Sequence, residues 1–143
     1  MSGAIAHQAT CVAIGGRGVL IEGPPGAGKS SLALALIDRG AVLVGDDGVL
    51  LSPRDGRLYA NPHPNIAGLL EVRGVGLVTM ATASDVPVAL VLALDPIADR
   101  HVGTAETALR AGVCVPLIRL WPDSPVLALR AEFALAHHGF GPG

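Results

Sequence analysis

Residues Gly23–Ser30 read GPPGAGKS, a G-x-x-x-x-G-K-S spacing followed by the apolar run Ser31–Asp38. Glycines at 23, 26 and 28 let the backbone adopt positive φ and approach a polyphosphate closely. The N–H groups of such a loop, with the helix start behind it, turn partial positive charge toward phosphate oxygens. In this pattern the lysine, Lys29, reaches the β- and γ-phosphates of a nucleoside triphosphate, and the Ser30 hydroxyl sits on Mg²⁺. Gly23, Pro24, Pro25, Gly26, Ala27, Gly28, Lys29, Ser30 and Ser31 are therefore the candidate nucleotide-binding segment, with a nucleoside triphosphate and Mg²⁺ the expected ligands.

Two further acidic groups bear on that chemistry. Asp46 and Asp47 follow the apolar stretch Ala41–Val44, and functional groups in open α/β sheets gather beyond the carboxyl ends of strands. If that strand neighbours the one feeding the loop, both acids face the γ-phosphate. One then holds Mg²⁺ or its water, and the other accepts a proton from a substrate hydroxyl. Gly45-Asp46-Asp47-Gly48 also has the composition of an ordinary acidic turn. Glu71 and Arg73, two residues apart in an extended segment beside Gly74 and Gly76, point the same way. They suit either a phosphate or metal contact or a surface ion pair at a tight turn. Asp95, ending an apolar strand before Pro96, suits a second Mg²⁺-holding acid or a turn. His7 stands alone near the start. His63, His101, His137 and His138 form no metal pattern and read as surface residues.

The elements that must position these groups follow from periodicity and turn chemistry. Gly18–Glu22 reads as a buried strand entering the loop. Ala9–Ile14 pairs with it through Gly15-Gly16-Arg17-Gly18. A buried helix runs from about Gly28 to Arg39, with Gly40 as its stop. Ala41–Val44 is a strand, and Val49–Ser52 with Arg57–Ala60 form a hairpin around Asp55-Gly56. Leu69–Val72 and Val75–Met80 flank a glycine-rich turn. Val88–Leu94 and Val115–Leu120 are strands, with Gly74–Leu94 read as two buried strands joined by a turn. A short helix is expected around Ala105–Arg110. A C-terminal helix is expected within Pro122–His138, with Val126, Leu129, Phe133 and Ala136 on one face.

With 143 residues, half of them hydrophobic and 15% charged, the chain suits one compact α/β domain with its sheet covered on both faces. The net charge of −2 and the scarcity of aromatics argue against nucleic acid. Asp85 and Pro87 interrupt the most hydropathic stretch, which argues against a membrane span. No signal peptide is visible. Cys11 and Cys114 lie far apart and read as buried reduced thiols of a cytoplasmic protein.

These residues together resemble the catalytic domain of bacterial HPr kinase/phosphorylase. The phosphate loop comes first. RGAVLVGDD, residues Arg39–Asp47, resembles the family's strand ending in paired aspartates. Leu69-Leu70-Glu71-Val72-Arg73-Gly74-Val75-Gly76-Leu77 then matches its LLE-[IV]-RG-[ILV]-G-[ILV] signature. The resemblance covers roughly Ile5 to Leu94. It implies a P-loop kinase domain spanning 1–143, with a central, mostly β core and flanking helices. It implies ATP- and Mg²⁺-dependent phosphorylation of a serine on HPr, the phosphocarrier of the sugar phosphotransferase system, with the reverse reaction open. Under it Lys29 binds phosphates, Ser30 and Glu71 ligate Mg²⁺ with support from Asp46, Asp47 is the proton acceptor, and His7 joins the active site. It also implies a downstream catalytic arginine, for which Arg100, Arg110 and Arg119 compete. With nothing before residue 1, the chain resembles the short, stand-alone form, and homo-oligomerisation is open. Two other readings stand beside this one: an ATP-sensing module without phosphotransfer, and a small-molecule kinase.

Overall fold

The computed structural model describes residues 3–141. Its elements, in chain order, are β1 (Ile5–His7), β2 (Thr10–Ile14), β3 (Arg17–Glu22), α1 (Lys29–Asp38), β4 (Val42–Gly45), β5 (Val49–Arg54) and β6 (Arg57–Pro62). They continue with β7 (Leu69–Val72), β8 (Gly76–Thr79), β9 (Val86–Leu94), β10 (Glu106–Arg110), β11 (Val113–Leu120) and α2 (Leu127–His138). This is an α/β domain with a mostly β core and flanking helices.

Nine strands form one mixed sheet, ordered β1-β5-β6-β9-β3-β2-β4, with β11 also on β9 and β10 beyond it. The uncharged run of β9 makes it the centre: seven of its nine residues are buried. One edge of β9 pairs in parallel with β3. The other edge is divided, Val86 and Pro87 pairing with β6 and Val91–Leu94 with β11. The carboxyl ends of β3, β9 and β11 consequently lie along one rim. β2 runs antiparallel to both β3 and β4, so β4 ends on that same rim. The strand carrying the paired aspartates is thus separated from β3 by β2 rather than adjacent to it. Registry across three strands does the work that direct pairing was expected to do.

One sheet face, through Val12, Val19, Ile21, Leu90 and Leu92, packs on both helices. The other packs Leu20, Val44, Val88 and Val91 against Val49, Leu51 and Leu58 of the β5–β6 hairpin and against Val115 and Leu117. Asp55 and Gly56 take φ of +51° and +76°, the two positive values that a two-residue hairpin turn requires.

Several expectations are corrected. Glu106–Arg110 is a strand, not a helix, because it completes the open edge of β11 over five paired residues. β8 is not buried; its hairpin with β7 forms a separate two-stranded sheet. α2 starts only at Leu127, and its buried residues are Ala131, Ala134 and Leu135. Val126, Leu129 and Phe133 are instead 41%, 38% and 64% exposed. Small alanines let the helix approach the sheet, and the large residues are left outside. Cys11 is buried, and burial pushes its thiol up to about 12. Cys114 is exposed, on the same outward side of its hairpin as its partner Leu109.

Candidate active site

Helix α1 begins directly out of the phosphate loop. Gly28, its N-cap, has φ of +102°, and Leu32 N donates to Gly28 O at 2.9 Å. The loop holds itself in shape: Ala27 N donates to Pro24 O at 3.1 Å, and Lys29 Nζ donates to Gly23 O at 2.8 Å and to Pro24 O at 3.1 Å. Gly23, Pro24 and Ala27 are therefore framework. Pro25, Gly26, Gly28, Lys29, Ser30 and Ser31 line the adjacent cavity of about 260 Å³.

The same cavity is lined by Thr10, Asp46, Asp47, Glu71 and Arg73. Four segments distant in sequence thus share one polar hollow, with three carboxylates facing two cations. Asp46 is 8% exposed and its carboxylate is fully engaged. Oδ1 accepts from Ser30 Oγ at 2.7 Å and Thr10 Oγ1 at 3.0 Å, and Oδ2 accepts from Glu71 N at 3.0 Å. A buried carboxylate requires such donors. Here they tie the end of β4 to the P-loop, to β2 and to β7.

Asp47, the next residue, behaves differently. It is exposed, with φ of +64°, a left-handed conformation that aspartate tolerates better than most residues. Asp47 N lies 3.5 Å from Thr10 Oγ1, and Oδ1 takes one long contact, 3.4 Å, from Gln8 Nε2. The turn that separates the two acids depends on Gly45. A Cβ there would lie 2.5 Å from Gly48 O and 2.7 Å from Val49 Cγ1. One acid is therefore locked and the other presented at the cavity rim.

Ser30 Oγ, Asp46 and Glu71 are hard oxygen donors on this cavity. Asp46 is already bonded to Ser30, and the Glu71 side chain has no hydrogen-bond partner among the described residues. The set suits Mg²⁺, which binds through one or two carboxylates and completes its shell with water and substrate phosphates. Among the described residues no ready-made cluster of three His, Cys, Asp or Glu side chains exists.

His7 is placed beside this cavity, not in its wall. Its Nε2 meets Glu22 Oε2 at 2.8 Å, and Arg110 grips the same carboxylate with Nε at 2.9 Å and Nη2 at 2.6 Å. Burial pushes Glu22 up, but the Arg110 and His7 hydrogen bonds outweigh it and hold the carboxyl below the ordinary glutamate range. Glu22 is the residue before Gly23, so this cluster anchors the chain at the point where it enters the loop. Asp95 serves a turn: Oδ1 accepts from Ile97 N at 2.9 Å. None of Arg100, Arg110 and Arg119 lines the phosphate cavity, whereas Arg73 does. Of the two readings that its sequence offers Arg73, a phosphate or metal contact and a surface ion pair, its place in the lining fits the first; Thr10 and Gln8 carry no such signal. The only signal for Thr10 was a hydroxyl at the start of β2, whose bond to Asp46 depends on the β2–β4 register.

Residues 1–85 match the sequence model of the HPr Serine kinase C-terminal domain. The HPr kinase/phosphorylase of Streptococcus thermophilus (strain ATCC BAA-491 / LMD-9) is 38% identical over 122 residues, 76% of this chain and 40% of that protein. The HPr kinase/phosphorylase of Mycoplasma mycoides subsp. mycoides SC is 30% identical over 107 residues, 70% of this chain and 34% of that protein. The chain thus spans well under half the length of these curated relatives. The solved structure of the Hpr(Ser) kinase/phosphatase from Coxiella burnetii superimposes with a TM-score of 0.81 at 27% identity, covering 92% of this chain and 94% of that one.

Proposed function

The chain belongs to the HPr serine kinase C-terminal domain family, and from that premise we propose that it is an ATP-dependent protein kinase that phosphorylates a serine of HPr. The observation that carries this reading is the convergence of the phosphate loop, the Asp46-Asp47 pair and the Glu71–Arg73 hairpin on one cavity. A bare nucleotide site needs only the first. A phosphoryl-transfer site also needs a proton acceptor and charge compensation beside the γ-phosphate.

In this reading the loop N–H groups hold the triphosphate, and Lys29 exchanges the Gly23 and Pro24 carbonyls for phosphate oxygens. Ser30, Asp46 and Glu71 would hold Mg²⁺, which when bound offsets charge on the β- and γ-phosphates. Asp47 takes the serine proton as Oγ attacks the γ-phosphorus and the bond to ADP breaks. Arg73 offsets charge on the transferring group. The phosphorylase direction, inorganic phosphate attacking phosphoserine with Asp47 returning the proton, uses the same groups and belongs to the same proposal, as does a cytoplasmic location. No helix among the described residues is long and apolar enough to cross a membrane.

The test is incubation with γ-labelled ATP, Mg²⁺ and purified HPr, followed by identification of the labelled residue. Label on an HPr serine is expected. Tight ATP binding without transfer to HPr would overturn the kinase reading in favour of a nucleotide-sensing module.

A further inference from the structure

A second cavity, of about 710 Å³, lies between α2, the end of β11 and the segment joining β9 to β10, and shares no residue with the phosphate cavity. Its volume falls in the range of small-molecule sites, on the order of 300–1,000 Å³. Arg100 reaches it from the connecting segment and Arg130 from α2. Neither guanidinium has an ion-pair partner among the described residues. Arg119, which also lines the cavity, is already held by Glu106 at 2.7 Å and Asp95 at 3.5 Å. The only carboxylate in the lining is Asp99. The walls therefore carry uncompensated positive charge in the form of planar guanidinium forks, the geometry that grips phosphate oxygens in pairs.

The apolar part of the lining is equally particular. The whole chain has one Trp, one Tyr and two Phe. Trp121 and Phe133 both line this cavity, and they are 44% and 64% exposed. Large aromatic surfaces left open beside unpaired arginines suit a ligand that offers a flat apolar face as well as an anion. The phosphate cavity has no aromatic residue in its lining.

We propose that this cavity is a second ligand site, taking a phosphate monoester that carries a planar ring, with a nucleoside monophosphate as the simplest case. The phosphate sits on Arg100 and Arg130, and the ring lies against Trp121 and Phe133. The two cavities share no lining residue, so loss of AMP binding here and loss of phosphate transfer there are read separately.

Trp121 is the chain's single tryptophan, so its fluorescence reports on this cavity directly. Titration with AMP into the millimolar range is expected to give a saturable change. The double variant Arg100→Ala, Arg130→Ala should raise the midpoint about tenfold or more, as loss of charge-assisted contacts implies, while its binding of Mg·ATP, measured by equilibrium dialysis, stays at the wild-type level. The milder Arg130→Gln variant should give a smaller shift in the same direction if the double variant folds poorly. Ribose 5-phosphate and adenosine should each bind more weakly than AMP. No saturable change, or an AMP midpoint unaltered in both variants, would overturn the site. Equal binding of ribose 5-phosphate and AMP would overturn the ring-binding half of the proposal.

Discussion

The two aspartates after β4 are neighbours in sequence and opposites in environment. Asp46 is buried with both carboxylate oxygens engaged, and Asp47 stands at the cavity rim with a single long contact. Composition could not divide the roles between them, because the division comes from a turn around Gly45 and from a hydroxyl on another strand. Family resemblance assigned the proton to Asp47, and the geometry supports that choice by leaving it the freer group. Asp47→Asn keeps the shape and removes the proposed base. It is expected to lower phosphate transfer to HPr on the order of 10²–10⁴-fold while nucleotide affinity changes little, which transfer assays and nucleotide titration read separately. Equal losses in binding and transfer would assign Asp47 to the nucleotide site instead.

At the scale of elements, what local sequence encodes was legible and what packing decides was not. The P-loop and α1 follow from glycine spacing and an apolar run. The β5–β6 and β7–β8 hairpins follow from Asp-Gly and Arg-Gly turns. β10 was misread because only Ala108 of its five residues is buried, so its partner β11, rather than its own pattern, makes it a strand. The buried face of α2 does not follow from apolar size, because close approach to the sheet selects Ala131 and Ala134. Glu22 was read only as the end of a strand. It proves to join three elements, with His7 of β1 and Arg110 of β10 bonded to its carboxylate.

That junction makes a pH prediction. Its partners hold the Glu22 carboxyl below the ordinary glutamate range, so its contribution to stability is present above the unfolded-state value of about 4.3 and is lost as pH falls through the lower folded-state value. Glu22→Gln should therefore be less stable than wild type at neutral pH, by about 1.5–3 kcal/mol for charge-assisted bonds. The gap should narrow as the solution is acidified below the glutamate range. Thermal denaturation of both proteins at neutral pH and near pH 3 checks this, and a gap that stays constant or widens in acid would mean that the cluster does not stabilise the fold through the ionised glutamate.

Across the whole molecule, the sheet aligns the carboxyl ends of β3, β4, β9 and β11 on one rim, and both the phosphate loop and the paired acids emerge there. The interposed β2 contributes Thr10 as a bridge, and the separate β7–β8 hairpin is fastened through Glu71 N to the same buried carboxylate. Asp46 is thus the point at which three distant motifs become one site. Whether these motifs form a single phosphoryl-transfer centre is decided by a crystal structure with Mg²⁺ and a non-hydrolysable ATP analogue. The γ-phosphate is expected beside Lys29 and Asp47, with the metal touching Ser30 and its shell reaching Glu71. A triphosphate bound in the loop but directed away from Asp47 and Glu71 would contradict it.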